Sequence, residues 1–348
     1  MTAPDPAAIR AAMESKDTLR PRDLAGVLGI TEAQLVAAGV GRTARRIAAS
    51  PDRLIEGVCG LGEVMALTRN ESAVHERTGI YEAWHPGRHA AMVLGAEIDL
   101  RIFPKHWVHA FALRRDDGAK GPARSLQVFD DHGEAVHKVY PRAGTDIEAW
   151  DRLVDELAID DTSDRLMVTP APPPEGARIV PDKADLLRSE WQRMTDTHQF
   201  LRLVAKFKMN RLGAYRLAGA PFARPLATTA VDLALQQVAR EAVPIMIFVG
   251  NRGCIQIHSG PIETLKPMGP WQNVLDQRFN LHLRQDHIAE AWLVQKPTKR
   301  GMALSVEGFD EEGRLILQIF GLRKENGPDF SAAFAKVAET LPVLETVE

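Results

Sequence analysis

The residues best placed to do chemistry in this 348-residue chain are one histidine and a small set of cations. His198 lies in the run Trp191-Gln-Arg-Met-Thr-Asp-Thr-His198-Gln-Phe. The chain repeats one plan twice, as described below, and the position matching His198 in the other copy is Leu19. A histidine where the sister copy has leucine is expected in apolar surroundings. It reads either as a satisfied core histidine or as an imidazole held near a ligand or metal. Three cations fall on elements of the same copy. Arg211 opens a predicted helix, Lys296 ends the strand Ala291-Trp-Leu-Val-Gln-Lys296-Pro, and Arg323 follows Gln318-Ile-Phe320-Gly-Leu. Taken singly, each reads as a solvated surface charge. Taken together, they suit a ligand with two carboxylates, because guanidinium forks bind carboxylates through paired hydrogen bonds. Strand alternation puts Gln318 and Phe320 on one face.

Other patterns are weaker or missing. His85-Pro-Gly-Arg-His89 has ligand-like spacing, but Pro86 and Gly87 oppose the helix that would bring both imidazoles to one face, so it reads as a loop. The sequence has no Walker A motif, no Gly-x-Gly-x-x-Gly after a strand, no Gly-x-Ser-x-Gly and no His-Glu-x-x-His. It also lacks Cys-x-x-Cys-His, the motif for covalent haem attachment.

The elements that must position these residues come in two copies. Val64-Met-Ala-Leu-Thr-Arg-Asn70 matches Ile245-Met-Ile-Phe-Val-Gly-Asn251. At the same offset Gly79 meets Gly260, Glu82 meets Glu263, His106 meets His287 and Ala110 meets Ala291. Phe129-Asp130-x-x-Gly133 then matches Phe309-Asp310-x-x-Gly313, and Asp17-Thr18-Leu19 matches Asp196-Thr197-His198. The offset, about 180 residues, is far too long for a solenoid repeat and marks a tandem duplication. Between the copies, Thr169-Pro-Ala-Pro-Pro-Pro-Glu-Gly176 and Pro181 favour extended backbone and exclude helix. The expected organisation is an N-terminal repeat over 1–168, a proline-rich linker over 169–181 and a C-terminal repeat over 182–348.

Each copy reads as helices followed by strands. Thr18 and Asp23 precede the apolar pattern Leu24, Val27, Leu28, which Gly29 stops. Thr31 is placed to cap a second short helix. In the second copy, 186–206 reads as helical, followed by a helix over 211–217. Ile98 to Phe103 and Ser125 to Phe129 read as strands, and Leu304 to Phe309 with Arg314 to Phe320 flank a hairpin turn. Short connections without helical crossovers imply antiparallel sheets. The expected fold is α+β: two large antiparallel sheets with helix clusters, related by a pseudo-twofold, with a ligand cleft between the halves.

Composition bounds the function. Hydrophobic residues at 45% and charged residues at 26% suit a globular protein with its own core. A net charge of −3 points to neither nucleic acid nor an anionic membrane, so an anion must meet a local cluster of cations. Two distant cysteines, Cys59 and Cys254, suit a reducing compartment. The start Met1-Thr-Ala-Pro-Asp-Pro predicts no secretion signal, and no apolar run approaches the roughly 18 residues of a spanning helix. The chain is expected to be cytoplasmic, without membrane insertion.

Several runs resemble the hemin-degrading factor family, the group of HemS, ChuS, ShuS and PhuS. They are Trp191 to Phe200, Pro244 to Pro261, Gly269 to Asp276 with Phe279 to Arg284, Arg22 to Val36, and Asp99-Leu-Arg-Ile-Phe103. The resemblance covers nearly the whole chain. It implies haem, iron protoporphyrin IX, as ligand or substrate, with His198 as the iron ligand. It further implies Arg101 as the distal and catalytic residue. Arg211, Lys296, Gln318 and Arg323 then lie near the propionates, and Met246 and Phe248 in the apolar wall. Phe320 departs from the pattern, since relatives often carry tyrosine there. The family also implies a role in bacterial haem uptake and iron acquisition, with a haem importer or a separate haem oxygenase as partner. Two readings stay open: an enzyme that opens the macrocycle and releases iron, and a chaperone that stores haem and passes it on. Another planar tetrapyrrole or apolar ligand, with His198 structural, is the third.

Overall fold

The computed structural model describes residues 4–16, 18–116, 122–324 and 327–344. Asp17, and the first three residues of the N-terminal reading, lie outside this range. The chain divides into two compact units. The first contains Met1–Asn70, His75–Pro172 and Gly250–Gln256; the second contains Glu71–Val74, Pro173–Val249 and Ile257–Glu348. Each unit thus takes in a short segment from the other copy of the repeat, at matching places in the two copies.

The first unit opens with three helices, α1 (Pro6–Ser15), α2 (Pro21–Leu28) and α3 (Glu32–Ala37). Gly29 closes α2 in the left-handed conformation at φ 64°, as its place after an apolar pattern predicts. Thr31 caps α3 through a capping box with Gln34. Then follow β1 (Ala44–Ile47), α4 (Pro51–Cys59), β2 (Gly62–Arg69), β3 (Ala73–Gly79), β4 (Trp84–His85), β5 (Ala91–Leu94), β6 (Asp99–Ile102), β7 (His109–Asp116), β8 (Pro122–Phe129), β9 (Ala135–Thr145) and α5 (Ile147–Leu157). Strands run antiparallel in the order β1-β7-β8-β9-β2. A second run joins β4, β5 and β6.

The second unit repeats the plan. It holds α6 (Ala184–Gln192), α7 (Gln199–Lys206), α8 (Arg211–Ala218), β10 (Ala223–Leu226), α9 (Ala230–Arg240), β11 (Ile245–Gly250), most of β12 (Cys254–Gly260), β13 (Trp271–Leu275), β14 (Phe279–Arg284), β15 (Glu290–Thr298), β16 (Gly301–Phe309), β17 (Leu315–Gly321) and α10 (Ser331–Glu339). The order β10-β15-β16-β17-β11, again antiparallel, reproduces that of the first unit strand for strand. The fold is therefore α+β with large antiparallel sheets, as the duplication implied.

Two expectations need correction. The segment 186–206 is two helices, because 193–198 turns instead of continuing. There the Gln199 side chain accepts from the Thr195 amide at 2.9 Å, and Asp196 accepts from the His198 amide at 2.7 Å. Short polar side chains offer the backbone such alternatives to the helical ladder. Lys296 does not end its strand either, since β15 runs on through Pro297 to Thr298. The β10 pairing stops at Val294, so Pro297 sits where one side of β15 is an edge and its missing N–H costs no ladder bond.

The second-unit sheet has two different faces. Ile245, Ile247, Val249, Val306 and Ile319 are buried with Val231, Leu235 and Phe334 of α9 and α10 in one core. On the opposite face, α6 to α8 cover Trp292, Val294 and Phe309 through Trp191, Phe200 and Tyr215. Met246, Phe248, Gln318 and Phe320 are left half-buried there.

Candidate functional site

His198 is the N-cap residue of α7, and its side chain is 87% exposed. This corrects the expectation of apolar surroundings, because the turn before α7 carries the ring away from the helix core. Its Nδ1 lies 2.7 Å from Asp196 Oδ1. Hydrogen bonds from the His198 amide, and then from its ring, hold the Asp196 carboxyl below the usual carboxylate range. Among the described residues, Nε2 meets no protein partner. The arrangement leaves one imidazole nitrogen oriented and available.

Sheet register explains how the apolar residues come together. Met246 pairs with Phe320, and Phe248 with Gln318. Phe320 pairs in turn with Ser305, and Gln318 with Glu307. Opposed residues share a face, so all six point the same way. Phe248 and Phe320 meet edge to face with centroids 5.3 Å apart. The alternation that predicted Gln318 and Phe320 on one face holds.

That face also carries a buried ionic cluster. Lys296 is 3% exposed and Glu307 is fully buried. Lys296 Nζ donates to Glu307 Oε1 at 2.9 Å, and Arg211 Nη1 donates to Oε2 at 3.1 Å. Tyr215 and Ser305 add hydroxyl donors, each at 2.8 Å. Lys296 and Arg211 also donate to the Tyr215 hydroxyl, at 3.0 and 3.1 Å. Burial alone would raise the Glu307 carboxyl, but Lys296 and then Arg211 outweigh it and bring it to about 2. Burial lowers Lys296 to about 8, against the pull of Glu307. Neither Lys296 nor Arg211 is a solvated surface charge. With Glu307 ionised, the two cations keep one net positive charge between them.

Arg323 lies apart from this cluster. It pairs with Asp329 at 3.3 Å and donates to Thr298 Oγ1 at 3.4 Å. The ion pair runs through Nε, and the buried Nη2 makes no hydrogen bond among the described residues. Arg101, in the first unit, bonds Asp99 and the Leu100 carbonyl, and its side chain is 30% exposed. His85 ends β4 and His89 lies in the loop beyond it. Among the described residues, no group of three or more His, Cys, Asp or Glu is placed to hold a metal ion.

Sequence reasoning missed Glu307 and Tyr215. Only Tyr215 had a signal: it stands four residues after Arg211, one helical turn along the same face. Glu307 had none, because a bulge between Gly308 and Phe309 shifts the register that brings it opposite Gln318.

Comparison with known proteins places the chain in a class. The profile of the haemin-degrading HemS.ChuX domain matches twice, over residues 29–157 and 208–339, one match in each copy of the repeat. This chain belongs to that family. The hemin transport protein HmuS of Yersinia pestis is 40% identical over 309 residues, covering 88% of this chain and 89% of HmuS. The crystal structure of holo-PhuS, a heme-binding protein from Pseudomonas aeruginosa, superposes with a TM-score of 0.92 at 39% identity, covering 98% of this chain and all of that one. The Escherichia coli O157:H7 heme degrading enzyme ChuS gives 0.85 at 33% identity, covering 95% of this chain and 96% of that one.

Proposed function

We propose that this protein binds haem in the cytoplasm as part of bacterial haem uptake and utilisation, with His198 as the iron ligand. One observation carries the reading: the exposed His198 ring has Nδ1 against Asp196 and Nε2 without a protein partner. A carboxylate on one nitrogen places the proton there, leaves the lone pair on the other and raises its basicity. Neutral imidazole is the usual histidine ligand of haem iron. No helix among the described residues is long and apolar enough to cross a membrane. The relatives named above bind, transport or degrade haem by their own descriptions.

The remaining residues suit the rest of the ligand. Haem is a flat apolar disc with two carboxylates, and Met246, Phe248 and Phe320 offer a half-buried apolar surface. The net positive charge of Arg211 and Lys296 suits one propionate. Arg323, whose buried Nη2 lacks a hydrogen bond among the described residues, suits another. Gln318 supplies a neutral amide beside them. The N-terminal repeat (1–168) would contribute Arg101 and the C-terminal repeat (182–348) the iron ligand, with 169–181 as linker. Bound haem supplies a redox-active iron. Arg101 is proposed as the catalytic residue: a guanidinium always charged, donating hydrogen bonds to developing negative charge.

A second reading follows from Phe320. Its ring packs on Phe248 and brings no hydroxyl proton, which favours a chaperone that receives haem from an importer and passes it to a separate haem oxygenase. Titration of apo protein with hemin, then ascorbate in air with catalase present, separates the two. A saturable Soret band that decays to a bilin spectrum identifies the enzyme, and a stable band the chaperone. The absence of a Soret shift would contradict haem binding altogether.

A further inference from the structure

We infer that Glu307 is a positioning residue for the iron ligand, acting on His198 through Phe200. The inference rests on the reading of His198 as that ligand. Glu307 comes from β16, yet its two oxygens gather side chains from α8, β15 and its own strand: Arg211, Tyr215, Lys296 and Ser305. All four are held to one fully buried carboxylate. The ring of Phe200 lies on this cluster. Lys296 Nζ stands 5.0 Å from its centroid and Arg211 Cζ 5.9 Å, both within cation–π range. Tyr215 packs on the same ring at 5.5 Å and Trp191 at 4.5 Å.

Phe200 is the second residue of α7, and His198 is the N-cap. One helical turn carries both, so the seat of Phe200 fixes where the imidazole stands. The order of dependence runs from Glu307 to the two cations, from the cations to the Phe200 face, and from Phe200 to His198. Stability alone is a poor reason to keep such a group. Replacing a buried ion network by packed apolar residues is often neutral or stabilising, whereas removing one partner strands a charge. A network that aims a ligand has a different reason to persist.

The test uses the full chain with Glu307→Gln and Phe200→Leu, beside His198→Ala. Phe200→Leu leaves the ions in place but removes the aromatic face they hold. Two readouts are taken: the His198 ring and amide signals of apo protein by NMR, and hemin titration followed at the Soret band. Glu307→Gln and Phe200→Leu are both expected to shift the His198 signals and weaken hemin binding about tenfold or more, the usual scale for outer-shell partners of a metal site. If His198→Ala perturbs the Soret band while folded Glu307→Gln matches wild type in both readouts, the positioning role is overturned. If Glu307→Gln does not fold, Phe200→Leu decides the question by the same criteria. An unperturbed His198→Ala complex would instead remove the ligand reading on which the inference stands.

Discussion

The two units build the same five-strand order and then place a buried carboxylate between two cations in opposite ways. In the first unit the carboxylate is Glu32, the first residue of α3, and the cations come from strands, Lys138 at 2.5 Å and Arg69. In the second, the matching helix position is Arg211, and the carboxylate, Glu307, comes from a strand. Burial raises the Glu32 carboxyl, but Lys138 and Arg69 bring it below the ordinary range. The faces differ accordingly. Where the second unit offers Phe248, Gln318 and Phe320, the first has Leu67, Lys138 and Tyr140 at matching register positions. Leu19 stands where His198 stands. Duplication kept the scaffold, and side-chain replacement gave the second unit an exposed imidazole oriented by Asp196 where the first has Leu19.

Acid is expected to separate the units most strongly. His137 is buried in the first unit between Thr68 at 2.9 Å and Tyr81 at 2.6 Å, and burial pushes it from 6.5 to about 3. With its folded value lowered, the unfolded chain takes the proton first. Stability is therefore complete above about pH 6.5 and falls by about 5 kcal/mol as pH drops toward 3. Glu307 behaves in the same sense over a lower window. Its stabilisation is complete above about 4.5 and is lost toward 2. Hydrogen exchange between pH 7 and 4 should show the first unit losing protection before the second. Simultaneous loss, or the reverse order, would break the comparison.

Glu32→Ala strands two buried cations and should destabilise the protein by about 3–5 kcal/mol. At temperatures where the variant remains folded, hemin affinity should match wild type. A large loss of affinity with little change in Tm would place the first cluster in the ligand site. Asp196→Asn keeps the turn but removes the charge that orients His198. Hemin affinity should fall about 10- to 100-fold; an unchanged dissociation constant would show that the carboxylate does not matter to the ligand. Phe320→Tyr should have the smallest effect, about 1 kcal/mol in hemin affinity from one added hydrogen bond. A larger change would mean that the missing hydroxyl is central to the pocket.

Much of this was legible in the sequence where local physics decides. Gly29, Thr31 and the hairpin joining β16 to β17 follow from capping and alternation, which depend on a few neighbouring residues. The break before α7 was hidden because the Asp196 and Gln199 side chains compete with the helix for the His198 and Thr195 amides, which an apolar period does not register. The exposure of His198 was misjudged for the same reason. The sister Leu19 is itself 39% exposed, so leucine at the matching place was a poor sign of burial. Lys296 looked like a surface cation because its burial depends on Glu307, a partner in the next strand. The reach of Phe200 into that cluster belongs to tertiary packing, which no spacing along the chain displays.

The measurement that bears most directly on the account is hemin titration of His198→Ala against wild type, with circular dichroism of both apo proteins. Because the side chain is exposed, the variant should fold as wild type does. It should then bind hemin at least tenfold more weakly, with a displaced Soret maximum, as loss of an iron ligand requires. A variant with the same fold, the same affinity and the same spectrum would contradict the assignment of His198 and the asymmetry between the units that it defines.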